Sequence, residues 1–264
     1  MTKSTHHTNA FDLNPNHVRQ SILQFSYDSA EGHVASSFSI VELLISVCAV
    51  NHEFTRDYKL DNILLSKGHA VYALYALMLK TKQYDKYFLK GVCTEGSNLI
   101  GHVPQIREIG LNIGTGSLGH GFPYAVGRAF ASGSNTDRMH VIIGDGELNE
   151  GSIWETLNIL EKFPNTPINL YIDDNHSSDR AIPLTTARDA LINSYNAETI
   201  DGHNVGALQA AIRKSYNQEK YRIFLCKTIK GYPISNMVGN PSWHHRIPTY
   251  NELQQFQNEL EEHA

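Results

Sequence analysis

Cysteine is scarce in this sequence, and the three that occur, Cys48, Cys93 and Cys226, stand far apart with no Cys-x-x-Cys pair. That spacing argues against a disulfide framework or a zinc site and fits a reducing compartment. Basic residues are outnumbered, with 22 Lys and Arg against 27 Asp and Glu for a net charge of -5. No broad cationic surface is therefore on offer, and nucleic acid is not an expected partner. Long apolar runs are missing too. The most hydrophobic stretch, residues 38–50, is too short to span a bilayer and contains Glu42, so it reads as a buried core helix. The stretch from Met1 to Asn16 is polar and lacks the apolar centre of a signal peptide. No internal repeat or low-complexity tract appears. The expectation is a cytoplasmic protein with no membrane partner.

What the chain does carry is a pair of polar clusters behind two apolar runs. Gly144-Asp145-Gly146 follows Val141-Ile142-Ile143, and Asp173-Asp174-Asn175 follows the run Ile168 to Ile172. Both runs are short and rich in β-branched residues, which predicts buried strands over 139–143 and 168–172. Between them, Ser152-Ile153-Trp154-Glu155 fits a capping box and predicts a helix from about Ser152 to Lys162. Strand, helix and strand make a βαβ unit, whose ligands bind beyond the carboxyl ends of the strands. Either cluster alone is as readily a turn or a polar loop. Together, at one sheet edge, they offer hard oxygen ligands of the kind Mg²⁺ shares with a diphosphate.

The rest of the chain reads as one α/β domain over 17–264, preceded by an arm over 1–16. Further helices are predicted over about 15–30, 36–50, 68–81, 120–132, 184–194, 205–217 and 249–262. Further strands are expected over 222–227 and near Glu198 to Ile200, with Gly133 to Arg138 as a surface loop. Small residues at Ala125, Gly127, Ala129 and Ser132 leave the 120–132 helix able to pack closely. The fold class is α/β, a parallel sheet flanked by helices.

Several segments then point to one family. Gly144-Asp145-Gly146-Glu147-Leu148-Asn149-Glu150-Gly151 with Asp174-Asn175 resembles the thiamine diphosphate motif in its transketolase form. Leu65-Ser66-Lys67-Gly68-His69-Ala70, Gly101-His102, Thr115-Gly116-Ser117-Leu118-Gly119, and Lys227-Thr228 with Trp243-His244 are similar to further transketolase segments, in the same order. The resemblance runs from about residue 15 to about 248. It covers only the diphosphate-binding domain of a full transketolase. The pyrimidine-binding domain, which in this family carries the glutamate that activates the cofactor, has no counterpart here. The resemblance thus implies the N-terminal subunit of a split transketolase. Such a chain is inactive without a C-terminal, pyrimidine-domain partner, and is expected in a heterotetramer of two of each chain.

It also implies roles. The side chains of Asp145 and Asn175 and the carbonyl of Ser177 would hold Mg²⁺, with diphosphate oxygens and water completing an octahedron. Gly146 would bring its N–H to a phosphate oxygen; Gly116 and Leu118 would meet the pyrimidine. His69 and His244 would lie beside the diphosphate and the reacting ring, and His33 and His102 would bind hydroxyls of the donor sugar. Imidazole suits these tasks because it donates or accepts near neutral pH. His245 stands ready to replace His244. His6, His7 and His263 read as solvated termini. Glu150 and Glu155 fit either a helix N-terminus, which favours acids, or a carboxylate chain between two active sites across the subunit interface. The activity implied is transfer of a two-carbon ketol unit from a ketose donor to an aldehyde, on sugars or sugar phosphates.

Two departures stand out. His33-Val34-Ala35-Ser36-Ser37 and Val103-Pro104-Gln105 replace commoner transketolase patterns near the donor and acceptor channel. They suggest a specialised or biosynthetic transketolase whose substrates are not the usual pentose phosphates. A 2-oxo acid dehydrogenase or deoxyxylulose phosphate synthase subunit, or a non-catalytic cofactor-binding subunit, are the other readings.

Overall fold

The structure is a computed structural model and describes residues 13–57, 60–81, 84–88, 91–132 and 137–262. Nearly all of the expected N-terminal arm, with His6 and His7, lies outside the described residues, as do His263 and positions 133–136 of the expected loop. The first helix, α1 (Pro15–Ser29), opens with Pro15 behind Asn14, whose side chain accepts from the Asn16 N–H at 2.8 Å. Proline at the first helical position and an Asx cap both suit a helix start.

The chain continues through α2 (Val34–Phe38), α3 (Val41–Thr55), β1 (Ile63–Leu65) and α4 (Val71–Thr81). Next come α5 (Gly121–Ser132), β2 (Met139–Gly144), α6 (Gly151–Lys162), β3 (Ile168–Asp174) and α7 (Thr185–Asn193). It closes with β4 (Glu198–Asp201), α8 (Val205–Tyr216), β5 (Arg222–Lys227) and α9 (Tyr250–Glu262). The strands form one parallel sheet in the order β1-β2-β3-β5-β4. All six residues of β2 and all seven of β3 are buried, as a parallel strand covered on both faces requires.

Side chains alternate between two cores. Leu65, Ile142, Tyr171 and Phe224 join the cluster under α1, α3, α4, α8 and α9, whereas Leu64, Val141, Ile143, Leu170 and Leu225 join the one under α5, α6 and α7. The small residues Ala125 and Ala129 of α5 are fully buried in the second cluster. No helix among the described residues is long and apolar enough to cross a membrane. Residues 38–50 are buried throughout, and Glu42 is paired there with Arg19 at 2.7 Å and His203 at 3.1 Å.

Four local expectations need correction. The helix expected over 36–50 is broken at Ser39-Ile40, where the Ser39 hydroxyl lies 2.8 Å from Asp173 Oδ2 and 3.0 Å from the Ser36 carbonyl. The helix expected over 68–81 begins as a 3-10 turn, Gly68–Ala70, and becomes α-helical at Val71. The capping box at Ser152 does not form: Glu150 is the N-cap, and the Ser152 hydroxyl donates to the Gly119 carbonyl at 2.8 Å. Arg138, expected on a surface loop, is fully buried, with its guanidinium donating to Asn169 Oδ1 at 3.0 Å and to the carbonyl of Lys220 at 3.2 Å.

Candidate active site

The carboxyl ends of β1, β2, β3 and β5 converge on one cleft of about 780 Å³. β2 delivers Gly144 and the following turn with Asp145 and Gly146; β3 delivers Asn175 and the turn with Ser177. β1 leads into Lys67 and His69, and β5 into Thr228 and Lys230. His33, His102, Leu118 and His244 complete the wall from loops. Of the residues to which the resemblance gives a role, only Gly116, Glu150 and Glu155 do not line it.

One corner is built of oxygen. Asp145 is buried and accepts from the N–H of Ser178 at 3.2 Å and of Gly146 at 2.8 Å. Among the described residues it forms no ion pair, and burial pushes its carboxyl above the ordinary range. The Gly146 N–H, expected to reach a phosphate, is turned to that carboxylate instead. A Cβ at Gly146 would meet only Ser178 Oγ, at 3.8 Å, so the protein's own packing makes no demand for glycine there. Asn175 donates its Nδ2 to Asp173 Oδ2 at 2.8 Å and accepts from the Ser177 N–H at 3.0 Å. The acceptor-only carboxylate of Asp173 therefore fixes which end of the amide faces it and leaves Oδ1 on the other side. A buried carboxylate without a cationic partner, an oriented amide oxygen and a nearby carbonyl fit a hard divalent cation.

The opposite wall is imidazole. The His33 ring centroid lies 5.2 Å from His69, 5.5 Å from His244 and 6.4 Å from His102. Burial, with His245 and His244 nearby, lowers His33 to about 4. Burial and the Lys67 ammonium lower His69 to about 2, and burial with Lys230 lowers His244. All three are therefore neutral near pH 7, and the partners of two of them define their tautomers. His33 Nδ1 lies 3.1 Å from the His244 carbonyl, which can only accept, so Nδ1 carries the proton and Nε2 is left as an acceptor. His244 Nδ1 lies 2.8 Å from Lys230 Nζ, an ammonium donor, which leaves Nε2–H as a donor. Burial lowers Lys230 itself to about 8, still charged at neutral pH. Of the adjacent pair, His244 lines the cleft, whereas His245 meets the His33 ring edge-to-face at 4.7 Å and lies against Gly32.

Gly116 stands behind the cleft, where a Cβ would come within 2.9 Å of the His102 ring. Gly119, at φ +74°, lets its loop lie against Glu150 and Ser152, with a Cβ there only 2.6 Å from each. Glu150 is half-buried at the N-cap of α6, and Glu155 is exposed one turn on. The site also uses residues that sequence reasoning passed over. Glu147 is buried and accepts from the Ser66 hydroxyl at 2.6 Å and from the N–H of Gly144 and Gly119 at 3.0 and 3.1 Å. It thereby joins the ends of β1 and β2 to the Gly119 loop. Lys67, buried, pairs with Asp173. Glu147 and Lys67 both stand inside recognisable motifs, but nothing in their spacing separates a buried clamp from a surface charge.

Residues 28–261 match the family described as "Transketolase, thiamine diphosphate binding domain". The chain is 28% identical over 258 residues to one of the apulose-4-phosphate transketolase subunits, from Phocaeicola vulgatus, covering 92% of this chain and 91% of that protein. It is 31% identical over 229 residues to the 6-deoxy-6-sulfo-D-fructose transketolase subunit SqwG of a Clostridium species, covering 81% and 82%. Human transketolase is 31% identical over 266 residues, but the match covers 93% of this chain and 41% of the human protein. The structure of transketolase from Leishmania mexicana superposes with a TM-score of 0.78 at 18% identity, covering 97% of this chain and 42% of that one. The latter likeness is one of fold. The chain belongs to the transketolase thiamine diphosphate-binding family, which bears out the fold and the transketolase-type subunit expected from the motifs. It spans about two-fifths of the human transketolase, against nine-tenths of the Phocaeicola protein.

Proposed function

We propose that this chain is the diphosphate-binding subunit of a two-subunit transketolase, working in the cytoplasm as a heterotetramer with a pyrimidine-domain partner. The observation that carries the reading is the single cleft that joins an oxygen corner to a wall of neutral histidines. Asp145, Asn175 and the Ser177 carbonyl are the residues suited to Mg²⁺, and Gly146 lines the cleft beside them, its N–H able to serve a diphosphate oxygen only by turning from Asp145. Thiamine diphosphate, when bound, supplies the carbanion chemistry by which a two-carbon ketol unit is taken from a ketose and given to an aldehyde.

The chain's own groups then have distinct tasks. His244 Nε2–H donates to the substrate carbonyl oxygen, while Nε2 of His33 accepts from a donor-sugar hydroxyl, with His102 beside it. His69, with its ring centroid 5.2 Å from that of His33 and 6.2 Å from that of His244, stands beside them in the cleft. Leu118, exposed in the cleft, and the Gly116 carbonyl are suited to the pyrimidine. Glu150 and Glu155, at the start of α6 and outside the cleft, would form the carboxylate link to a partner subunit. Residues 17–264 act as one domain, consistent with α1 packing on α9. The departures after His33 and His102 support a donor or acceptor other than the common pentose phosphates, and the sugars in the names of the subunit relatives are of that kind.

The test is reconstitution. The chain and its candidate partner, with Mg²⁺ and thiamine diphosphate, are assayed for ketol transfer separately and mixed, with xylulose 5-phosphate and ribose 5-phosphate as reference substrates. Activity from the mixture alone supports the reading. Activity from this chain alone overturns the split site, and turnover of the reference pair as fast as by an ordinary transketolase overturns the special substrate.

A further inference from the structure

Lys67 is the least expected component of the site. It is 3% exposed, yet its ammonium is fully employed: it donates to the Ser36 carbonyl at 2.9 Å, to the Ser39 hydroxyl at 3.1 Å, and to Asp173 Oδ2. Three N–H groups meet three acceptors, which saturates an ammonium. Asp173 is fully buried and equally occupied. Its Oδ2 also accepts from the Ser39 hydroxyl at 2.8 Å and from Asn175 Nδ2 at 2.8 Å, and its Oδ1 accepts from the Thr228 hydroxyl.

We propose that Lys67 and Asp173 form an orienting lock, in which the buried ion pair holds the Asn175 amide with its oxygen toward the cation site. This rests on the reading of Asp145, Asn175 and Ser177 as cation ligands. An asparagine amide presents an oxygen on one side and an NH₂ on the other, and only the oxygen can ligate a cation. Asp173, ionised and held by Lys67, accepts but cannot donate, so it admits only the NH₂ side of Asn175. Without the lock, only the Ser177 N–H, which donates to Asn175 Oδ1 at 3.0 Å, still favours one orientation of the amide, and a larger fraction of the chains turns a donor toward the metal. The same lock reaches Ser36 and Ser39 in the break between α2 and α3, and Thr228 beyond β5. That explains why the helix is interrupted at Ser39: a continuous helix could not supply these groups at this point. Lys67 and Asp173 are positioning residues; neither lines up as a ligand itself.

The experiment measures Mn²⁺ binding to the full chain in saturating thiamine diphosphate, by the paramagnetic resonance of free Mn²⁺, for wild type, Lys67→Met, Asp173→Asn and Ser39→Ala. Partners behind a metal ligand typically set affinity by about 10- to 100-fold, and losses in that range are expected for Lys67→Met and Asp173→Asn. Ser39→Ala removes one hydroxyl from the lock and keeps the test open should the charge variants not fold; a loss of affinity in the same direction, smaller than that of Asp173→Asn, is expected. Asn169→Ala, which breaks buried hydrogen bonds to Arg138, Tyr171 and Ser215 near the amino end of β3, away from the cleft, is the control for lost stability alone and is expected to bind Mn²⁺ as wild type. Unchanged Mn²⁺ affinity in the folded lock variants, or an equal loss in Asn169→Ala, overturns the positioning role. Failure of the wild type to hold Mn²⁺ with the cofactor overturns the ligand reading on which it rests.

Discussion

At the scale of single residues, the site is governed by how little charge the histidines can carry. An unfolded histidine titrates near 6.5, whereas the folded chain holds His33 at about 4 and His69 at about 2. The unfolded state therefore binds more protons as the pH falls, so stability is full above pH 6.5 and drops as the pH is lowered through 5 toward 4. For His33 the loss levels off near 4; for His69 it continues toward 2. Melting curves at pH 7.5 and pH 5.0 should show a fall in Tm that shrinks in His33→Gln and shrinks further in the double variant with His69→Gln. An unchanged pH slope in the double variant would show that other groups carry it. The opposed tautomers of His33 and His244 lead to a second expectation, in the reconstituted enzyme. His244→Ala should lower kcat by about 10²- to 10⁴-fold, the usual worth of a positioned proton donor. A loss confined to KM would assign His244 to binding instead.

At the scale of elements, helix α5 carries two glycines with opposite prospects. A Cβ on Gly121 would sit 2.4 Å from Ser66 Oγ and 2.8 Å from Leu64 Cδ2, and Ser66 is committed to Glu147. Gly121→Ala should therefore cost about 1–3 kcal/mol, the range for overpacking a filled site. A Cβ on Gly127 would meet nothing within 4 Å. There the ordinary helix preference for alanine operates, and Gly127→Ala should stabilise the isolated chain by about 0.5–1 kcal/mol. Urea titration of both variants reads the two signs at once, and a destabilised Gly127→Ala would mean that its face is covered. The same element scale shows what was legible beforehand. β2, β3 and the acidic turns behind them were visible because a buried parallel strand writes an unbroken apolar run that ends abruptly in polar residues. β1 escaped because three residues carry no period. The interruption at Ser39 escaped because its cause, Asp173, lies 134 positions away in the chain. Ser152 looked like a cap because its spacing to Glu155 is local, whereas its actual acceptor, Gly119, belongs to another loop. Local chemistry was readable in the sequence; contacts between distant strand ends, which build the lock of Lys67 and Asp173, were not.

At the scale of the whole molecule, the four strand ends put the oxygen corner, Lys230 and the histidines in one open cleft, and of Gly116 and Leu118, the two residues proposed to meet the pyrimidine, Leu118 alone lines it. The chain should thus recognise the phosphorylated end of the cofactor and leave the aromatic end to its partner. Ligands that bind only the folded state raise its stability by RT ln(1 + [L]/Kd), about 2.7 kcal/mol at a hundredfold excess over Kd. Thermal unfolding of the isolated chain should therefore shift upward with thiamine diphosphate and Mg²⁺, and nearly as far with inorganic diphosphate and Mg²⁺. Thiamine without its diphosphate should produce no shift, and chelation of the metal should abolish the other two. Adding the partner chain should then separate thiamine diphosphate from inorganic diphosphate, because only the complete interface grips both ends. A shift caused by unphosphorylated thiamine in the isolated chain would place a full pyrimidine site within these residues, and the division of labour between the two subunits would have to be redrawn.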